Sequence, residues 1–227
     1  MNNPGSASVI FDLDGTLVDS EPNYYEAGRR LLAAYGVTDF GWERHTDFIG
    51  IGTRETLEAL RAEYALDAPV EELLAGKNRH YLELARASTE VYPQMRTFVE
   101  LLHADGVPLA VASGSSRAAI EAVLSGTGLD AFIRTVVSAE EVPRGKPEPD
   151  VFLEAARRLG ADPADCVVLE DAPPGALAAR AAGMRCVAIP YVPSTASDPA
   201  FAAADLLYAG GQREFTARSA YDWLNAR

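Results

Sequence analysis

The sequence predicts an α/β fold in which a doubly wound parallel sheet carries an inserted helical domain. Three observations lead to this prediction. A short apolar run at residues 9–13 is typical of a buried strand. Residues 20–87 then show only helical periodicity, and from residue 92 onward short apolar runs alternate with helical segments. Alternating strands and helices imply right-handed βαβ units, and therefore a parallel sheet covered on both faces.

The helical patterns of the inserted domain lie between the first strand and the alternating region. Apolar residues recur at helical spacing, which predicts helices over residues 24–35, 42–48, 53–64 and 70–87. Thr53 is a candidate N-cap for the third of these helices. Helices with no sheet to lie on predict a small bundle inserted as one unit. The expected domains are residues 1–18 with 88–227 for the core and 19–87 for the helical cap.

The remaining elements of the core follow in order along the chain. Helices are predicted at residues 93–103, 117–124, 149–159 and 175–182, with a last one ending near Asn225. Strands are predicted at residues 109–112, 135–137, 167–169, 186–189 and 206–208. The first strand belongs to the same sheet, and its neighbours come from residues after 90.

The composition excludes several classes of partner. The chain of 227 residues carries a formal net charge of −13, which would repel the phosphates of nucleic acids and anionic membranes. No apolar run approaches a membrane span, and the first eight residues lack the features of a signal peptide, so a cytoplasmic location is expected. An anionic substrate would need local positive charge. Only two basic residues are lysines, Lys77 and Lys146.

Two acids follow the first strand and indicate a site. On an extended backbone Asp12 and Asp14 point to the same face, whereas Leu13 points to the other. Like charges so close together require a shared proton or a bound cation. Gly15 then lets the chain turn without a Cβ. Because ligands of open α/β sheets bind at the carboxyl ends of the strands, we expect a functional site here.

Residues 12–21, Asp-Leu-Asp-Gly-Thr-Leu-Val-Asp-Ser-Glu, resemble the first motif of the haloacid dehalogenase (HAD) superfamily. The match is to its phosphatase and β-phosphoglucomutase-like branch. The resemblance implies a HAD-like Rossmannoid core with a helical cap. It also implies that Asp12 is a nucleophile, that Asp14 is a general acid/base, and that Mg²⁺ lies between them and a substrate phosphate. Gly15 and Thr16 are implied to contact that phosphate.

A second strand end, at Ser113 and Gly114, resembles the second motif of the superfamily. Small residues before a helix allow backbone N–H groups to approach an anion, and the helix dipole favours it. Read without the resemblance, Ser113 or Ser115 could equally be an ordinary helix N-cap. The resemblance makes Ser113 and the backbone of Gly114 ligands of the phosphate.

The third motif is represented by Gly-Lys-Pro-Glu-Pro-Asp at residues 145–150. A compact ammonium suits a phosphate oxygen, and this chain uses arginine almost everywhere else. A solvated loop lysine is the alternative. The resemblance implies that Lys146 anchors both the phosphate and Asp12.

The fourth motif is represented by Glu170 and Asp171, which follow the apolar run at residues 167–169. Carboxylate oxygens suit Mg²⁺. Asp171 could instead cap a helix that starts at Pro173. The resemblance makes Asp171 a metal ligand and Glu170 a direct or water-mediated one.

In the cap, Lys77 and Asn78 resemble the pair that β-phosphoglucomutases place near the distal end of the substrate. An exposed helix lysine is the alternative for Lys77. Thr53 stands where those mutases carry an arginine for the distal phosphate, and Arg54 is adjacent, so both are candidate substrate-binding residues. Tyr24 and Arg117 replace a mutase histidine and asparagine. The histidines, which show no metal-ligand spacing and are expected on the surface or on helix faces, are His45, His80 and His103.

These features predict a Mg²⁺-dependent phosphomonoester hydrolase that acts on a small sugar phosphate or phosphoglycolate through an aspartyl phosphate. A β-phosphoglucomutase-like phosphosugar mutase is the alternative. The Asp12 and Asp14 pair argues against a catalytically silent phosphate-binding protein, and a dehalogenase has no use for the metal set. A phosphonatase would need Lys77 to form an imine. We expect a monomer or a weak dimer with a small phosphorylated molecule as its partner.

Overall fold

The computed structural model describes residues 7–49 and 51–226, and each predicted helix and strand appears there with ends displaced by a few residues. The strands are β1 (Ser8–Phe11), β2 (Val18–Asp19), β3 (Glu90–Val91), β4 (Leu109–Ser113), β5 (Thr135–Ser138), β6 (Cys166–Glu170), β7 (Arg185–Ala188) and β8 (Leu206–Leu207). The helices are α1 (Glu21–Ala34), α2 (Trp42–Thr46), α3 (Thr53–Glu63), α4 (Val70–Ser88), α5 (Pro93–Ala104), α6 (Arg117–Thr127), α7 (Asp150–Leu159), α8 (Pro173–Ala181) and α9 (Ala217–Asn225). None of the helices in the described residues combines the length and apolarity that a membrane-spanning segment requires.

Six strands form one parallel sheet in the order β5-β4-β1-β6-β7-β8. Strand β1 lies in the middle, with Val9 opposite Leu109 of β4 and Val167 of β6. The chain winds outward from β1 on both sides, so the predicted doubly wound parallel sheet is confirmed. In this topology the carboxyl end of β1 lies at the switch point of the sheet, where α/β proteins bind ligands.

Helices cover both faces of the sheet, as the apolar runs of its strands require. Val9 and Phe11 of β1 face a cluster that includes residues of α5, α6 and α9. Ile10, between them, faces the opposite cluster with residues of α7 and α8. Successive residues of one buried strand thereby hold together the two halves of the core.

The cap consists of α1 to α4 and has an apolar core of its own, which includes Leu32, Leu57 and Leu73. A two-stranded antiparallel sheet, β2 with β3, lies where the chain leaves and re-enters the core. Sequence analysis missed it because strands of two residues give no periodic signal. Thr53 is the first residue of α3 and Gly52 is its N-cap, so the predicted cap is wrong by one residue.

Ser113 and Asp171, for which helix capping was the alternative role, do not cap the helices that follow them. The N-cap of α6 is Ser116, whose hydroxyl accepts the N–H of Ala119, rather than Ser113 or Ser115. Ala172, not Asp171, is the N-cap residue of α8. The capping alternatives for these positions are therefore wrong, and the side chains of Ser113 and Asp171 remain for the site.

Two adjacent leucines of α5 test the assignment of the core. Leu102 is fully buried in the first apolar cluster, whereas Leu101 is 38% exposed. We expect Leu102→Ala to lower the free energy of unfolding by about 2–5 kcal/mol, because it leaves a cavity in packed surroundings. Leu101→Ala, the matched control, should change it by about 0.5 kcal/mol or less. Urea denaturation followed by circular dichroism measures both, and equal losses would contradict the packing of α5.

Candidate active site

The carboxyl ends of the central strands meet the cap at a cavity of about 570 Å³. Side chains from both domains line it. The core contributes the predicted site residues Asp12, Asp14, Ser113, Gly114, Lys146, Glu170 and Asp171. The cap contributes Glu21, Tyr24, His45, Thr53, Lys77, Asn78 and Tyr81. The topology therefore brings together residues that lie far apart in the sequence.

Lys146 joins two of the buried acids. Its Nζ donates to Asp12 Oδ1 at 2.6 Å and to Glu170 Oε1 at 2.5 Å. Burial alone would lower the pKa of Lys146, but the two carboxylates raise it above its ordinary value. The lysine is therefore a fixed positive charge within the site, and the alternative of a solvated loop lysine is wrong.

Glu170 is 1% exposed, and each of its carboxylate oxygens accepts at least one hydrogen bond. Its second oxygen, Oε2, accepts the backbone N–H groups of Asp171 at 2.9 Å and Ala172 at 3.0 Å. Gly175 leaves the space for this carboxylate, because a Cβ there would overlap it. Both oxygens of Glu170 are thus engaged, and the side chain acts chiefly to position Lys146.

Asp171 completes a cluster of three acids with Asp12 and Glu170, whose nearest oxygens all lie within 4.8 Å of one another. Burial, and then the neighbouring carboxylates Glu170 and Asp12, raise the pKa of Asp171 well above its ordinary value. Burial likewise raises the pKa of Asp12, although Lys146 opposes this. Three carboxylates against one ammonium leave two excess negative charges when all are ionised. These buried hard oxygen donors fit a divalent cation such as Mg²⁺.

The turn after Asp14 supports Asp171 rather than lining the cavity. Thr16 Oγ1 donates to Asp171 Oδ1 at 3.2 Å and is itself buried. Gly15 adopts φ +82°, and a Cβ there would overlap the Asp171 carboxylate. Gly15 and Thr16, which were both predicted to contact the phosphate, therefore lie against Asp171 and are not among the residues that line the cavity. Gln212, which sequence analysis did not single out, donates to the carbonyl of Thr16 at 2.8 Å and reinforces the turn.

The carboxylate of Asp14 is turned away from the acid cluster towards hydroxyl groups. Ser115 Oγ donates to Asp14 Oδ2 at 2.6 Å, and Ser113 Oγ lies 3.4 Å from the same oxygen. Tyr81 of the cap donates to Oδ1 at 3.2 Å. Because Ser115 donates to Asp14, it accepts from Tyr24 Oη, 2.7 Å away. Hydroxyls from both domains thus orient this acid, and the cap contacts were not expected from the sequence.

Lys77 lies in the cap half of the cavity and is 6% exposed, so the alternative of an exposed helix lysine is wrong. Its Nζ lies 5.5 Å from the centre of the Tyr24 ring. Burial lowers its pKa to about 8, an effect that Glu21 opposes. Thr53 also lines the cavity, whereas Arg54 is half exposed and pairs with Glu71 at 3.1 Å outside the cavity lining.

His45 is a cavity residue to which sequence analysis assigned no role. Its Nε2 lies 2.9 Å from Glu21 Oε2, and both side chains are largely buried. The two residues lie 24 positions apart, a separation that follows no spacing rule, because α1 and α2 meet only in the folded cap. The one local signal is the aromatic environment of His45, which includes Trp42 within the same short helix.

Comparisons with known proteins identify similar sequences and a similar fold. A family model for haloacid dehalogenase-like hydrolases matches residues 7–183. The bifunctional riboflavin kinase/FMN phosphatase of Arabidopsis thaliana is 37% identical over 192 residues, which cover 83% of this chain but only 49% of that protein. Hexitol phosphatase B of Escherichia coli K12 is 32% identical over 200 residues, with 88% of this chain and 90% of that one covered. The solved structure of a putative β-phosphoglucomutase from Thermotoga maritima has a TM-score of 0.77 at 26% identity, covering 96% of this chain and 98% of that chain.

Gly15 offers a test of the acid cluster as a cation site. Gly15→Ala should weaken Mg²⁺ binding about tenfold or more, because the added methyl group displaces Asp171. Gly36→Ala is the matched control, since Gly36 has a similar φ of +85° but an open environment. Both variants carry backbone strain of about 1 kcal/mol. Isothermal titration calorimetry should show weaker binding only for Gly15→Ala, and equal affinities in the two variants would contradict the assignment.

Proposed function

We propose that this chain, which belongs to the haloacid dehalogenase-like hydrolases and is a phosphatase of that family, cleaves a sugar or polyol phosphate through an aspartyl phosphate on Asp12. The observation that carries the proposal is the position of Asp12. It stands at the carboxyl end of the central strand, paired with Lys146 and adjacent to Asp171, in a cavity closed by the cap. Phosphoglycolate stays a second substrate candidate within the same reaction class.

In the first step, an Asp12 oxygen attacks phosphorus and the ester P–O bond breaks. Lys146 holds Asp12 through Oδ1, which leaves Oδ2 for the attack. Asp14 gives a proton to the leaving alkoxide, so the products are an alcohol and an acyl phosphate on Asp12. Lys146, Ser113 and the Gly114 backbone are the groups proposed to hold the phosphate oxygens.

In the second step, Asp14 takes a proton from water, and the water oxygen attacks the phosphorus of the acyl phosphate. The acyl P–O bond breaks, which releases inorganic phosphate and restores the carboxylate of Asp12. The hydrogen bonds from Ser115 and Tyr81 fix the orientation of Asp14 for both transfers. One side chain can therefore serve as acid and then as base.

The residues proposed to hold Mg²⁺ are Asp12, Asp171 and the main-chain carbonyl of Asp14, with Glu170 acting directly or through water. A bound Mg²⁺ would neutralise the phosphate oxygens and the developing charge. Thr16 and Gly15 keep Asp171 in place for this role. Glu170 contributes mainly by fixing Lys146, because both of its oxygens already accept hydrogen bonds.

A phosphosugar mutase on the same fold is the second candidate, and the observation that favours it is the buried Lys77 in the cap. A mutase must also hold a second phosphate at the distal end and protect the acyl phosphate from water. No arginine lines the cavity in the part of the chain that the structure describes: Arg54 pairs with Glu71, and Arg117 bonds Glu121. Tyr24 stands where the resembled mutases carry a histidine. We therefore favour hydrolysis.

The nucleophile assignment predicts the effect of one substitution. Asp12→Asn should reduce phosphate release from phenyl phosphate in the presence of Mg²⁺ by about a thousandfold or more, because an amide of similar size is a poor nucleophile. Asp130→Asn, an exposed acid outside the cavity lining, is the control and should retain full activity. Asp12→Asn activity within about tenfold of wild type would rule out the aspartyl phosphate.

The choice between hydrolase and mutase predicts the product. With β-glucose 1-phosphate and a trace of glucose 1,6-bisphosphate, we expect free phosphate to form faster than glucose 6-phosphate, since water reaches an acyl phosphate that no distal site protects. Both products can be followed in one reaction by ³¹P NMR. Glucose 6-phosphate formed much faster than phosphate would establish the mutase instead.

A further inference from the structure

We propose that Glu21 and His45 form a hydroxyl-recognition pair in the cap half of the cavity, opposite Lys77. The pair selects phosphate monoesters whose distal end is a neutral polyol, and it disfavours a second phosphate there. This inference rests on the proposed phosphatase function, whose acids lie at the other end of the same cavity.

Glu21 and His45 lie where they can contact a ligand in the cavity. Glu21 begins α1 and His45 lies in α2, and both side chains line the cavity with side-chain exposures of 16% and 8%. Their 2.9 Å contact engages Oε2 of Glu21. Among the described residues no donor reaches Oε1, so the carboxylate keeps one oxygen for a ligand. A carboxylate buried at this depth binds hydroxyl donors more strongly than it would in water.

Three aromatic side chains fix the position of His45. Its ring packs against Trp42 at 5.2 Å, Tyr25 at 5.6 Å and Phe40 at 6.4 Å between ring centres. These contacts hold the imidazole with Nε2 towards Glu21. A fixed donor on one oxygen orients the carboxylate, and the other oxygen of this cavity-lining residue has no donor among the described residues. This is the arrangement of a preorganised binding group rather than of a surface ion pair.

The charged groups in the cap half of the cavity are Lys77 and Glu21. Lys77 has no carboxylate within ion-pair distance among the described residues, so its ammonium is available to a ligand. No arginine is among the described residues that line the cavity, and two cap arginines next to lining residues pair with exposed acids, Arg44 with Glu63 and Arg54 with Glu71. A phosphate at the distal end would therefore meet one ammonium and one carboxylate. The two charges cancel.

The chemistry that fits this pair of groups is a chain of neighbouring hydroxyls. A hydroxyl both donates and accepts, so one can donate to Glu21 while its neighbour accepts from Lys77. A phosphate dianion only accepts, and it would be repelled by Glu21 without a hydrogen bond in return. Discrimination of this kind combines an attractive contact to the right ligand with a repulsive one to the wrong ligand.

The test compares a matched pair of ligands, glucitol 6-phosphate and glucitol 1,6-bisphosphate. For the wild-type enzyme with Mg²⁺, kcat/KM should be higher for the monophosphate by about tenfold or more. Glu21→Gln should lower this ratio by about tenfold, because it removes the charge that repels the second phosphate. His45→Phe, which keeps that charge and an aromatic ring but loses the donor, should lower the ratio less. Glu43→Gln, an exposed acid on the same helix as His45, should leave the ratio unchanged.

The binding arm separates this inference from the proposed function. Calorimetric titration of the Asp12→Asn variant, alone and combined with Glu21→Gln, reports the same discrimination without turnover. If wild type releases no phosphate from either ester or from phenyl phosphate, but Asp12→Asn still prefers the monophosphate, the proposed hydrolysis fails and the inference stands. The inference is overturned if wild type hydrolyses phenyl phosphate but neither kcat/KM nor binding affinity differs between the monophosphate and the bisphosphate. It is also overturned if Glu21→Gln changes neither of these two ratios.

Discussion

The ion pair network around Lys146 is the constraint on which the rest of the site depends. One buried ammonium lies between the carboxylates of Asp12, which follows β1, and Glu170, which ends the adjacent strand β6. Removal of one partner from such a buried group leaves an uncompensated charge, with a cost of about 3–5 kcal/mol. The network therefore fixes the loop before α7 against two strand ends. It also holds Asp12, the proposed nucleophile, in one orientation.

The sequence predicts the core half of the site well because of how a parallel sheet is built. Every strand of such a sheet ends at the same edge, so residues that follow separate apolar runs converge there, as Asp12, Ser113 and Asp171 do. The cap half could not be predicted in the same way. The contact between Glu21 and His45 depends on how two helices cross, and the support of Thr16 by Gln212 joins positions 196 residues apart. Neither contact has a local pattern in the sequence.

The position of the cap is coupled to the orientation of Asp14, the proposed acid/base. Tyr24 and Tyr81 stack at 4.2 Å between ring centres, and their hydroxyls connect the cap to Ser115 and Asp14. If the cap moved away from the core, Asp14 would lose its contact with Tyr81, and Ser115 would lose its partner Tyr24. Closure would then do more than exclude water, because it would also restore the hydrogen bonds that fix the carboxylate of Asp14.

A chain with a net charge of −13 can bind an anion only where basic side chains make the local charge more positive than this average. Both lysines of the sequence line the same cavity, Lys146 at the acid cluster and Lys77 in the cap, and both are buried or nearly so. Many arginines instead pair with acids on the surface, as Arg29 and Arg157 do, where such pairs contribute little. In the cavity the effective dielectric is lower, so each ammonium acts more strongly on a bound ligand. At the acid cluster Lys146 offsets only one of the three carboxylates, so a divalent cation would be needed there before an anion is favoured, and in the cap Glu21 offsets Lys77.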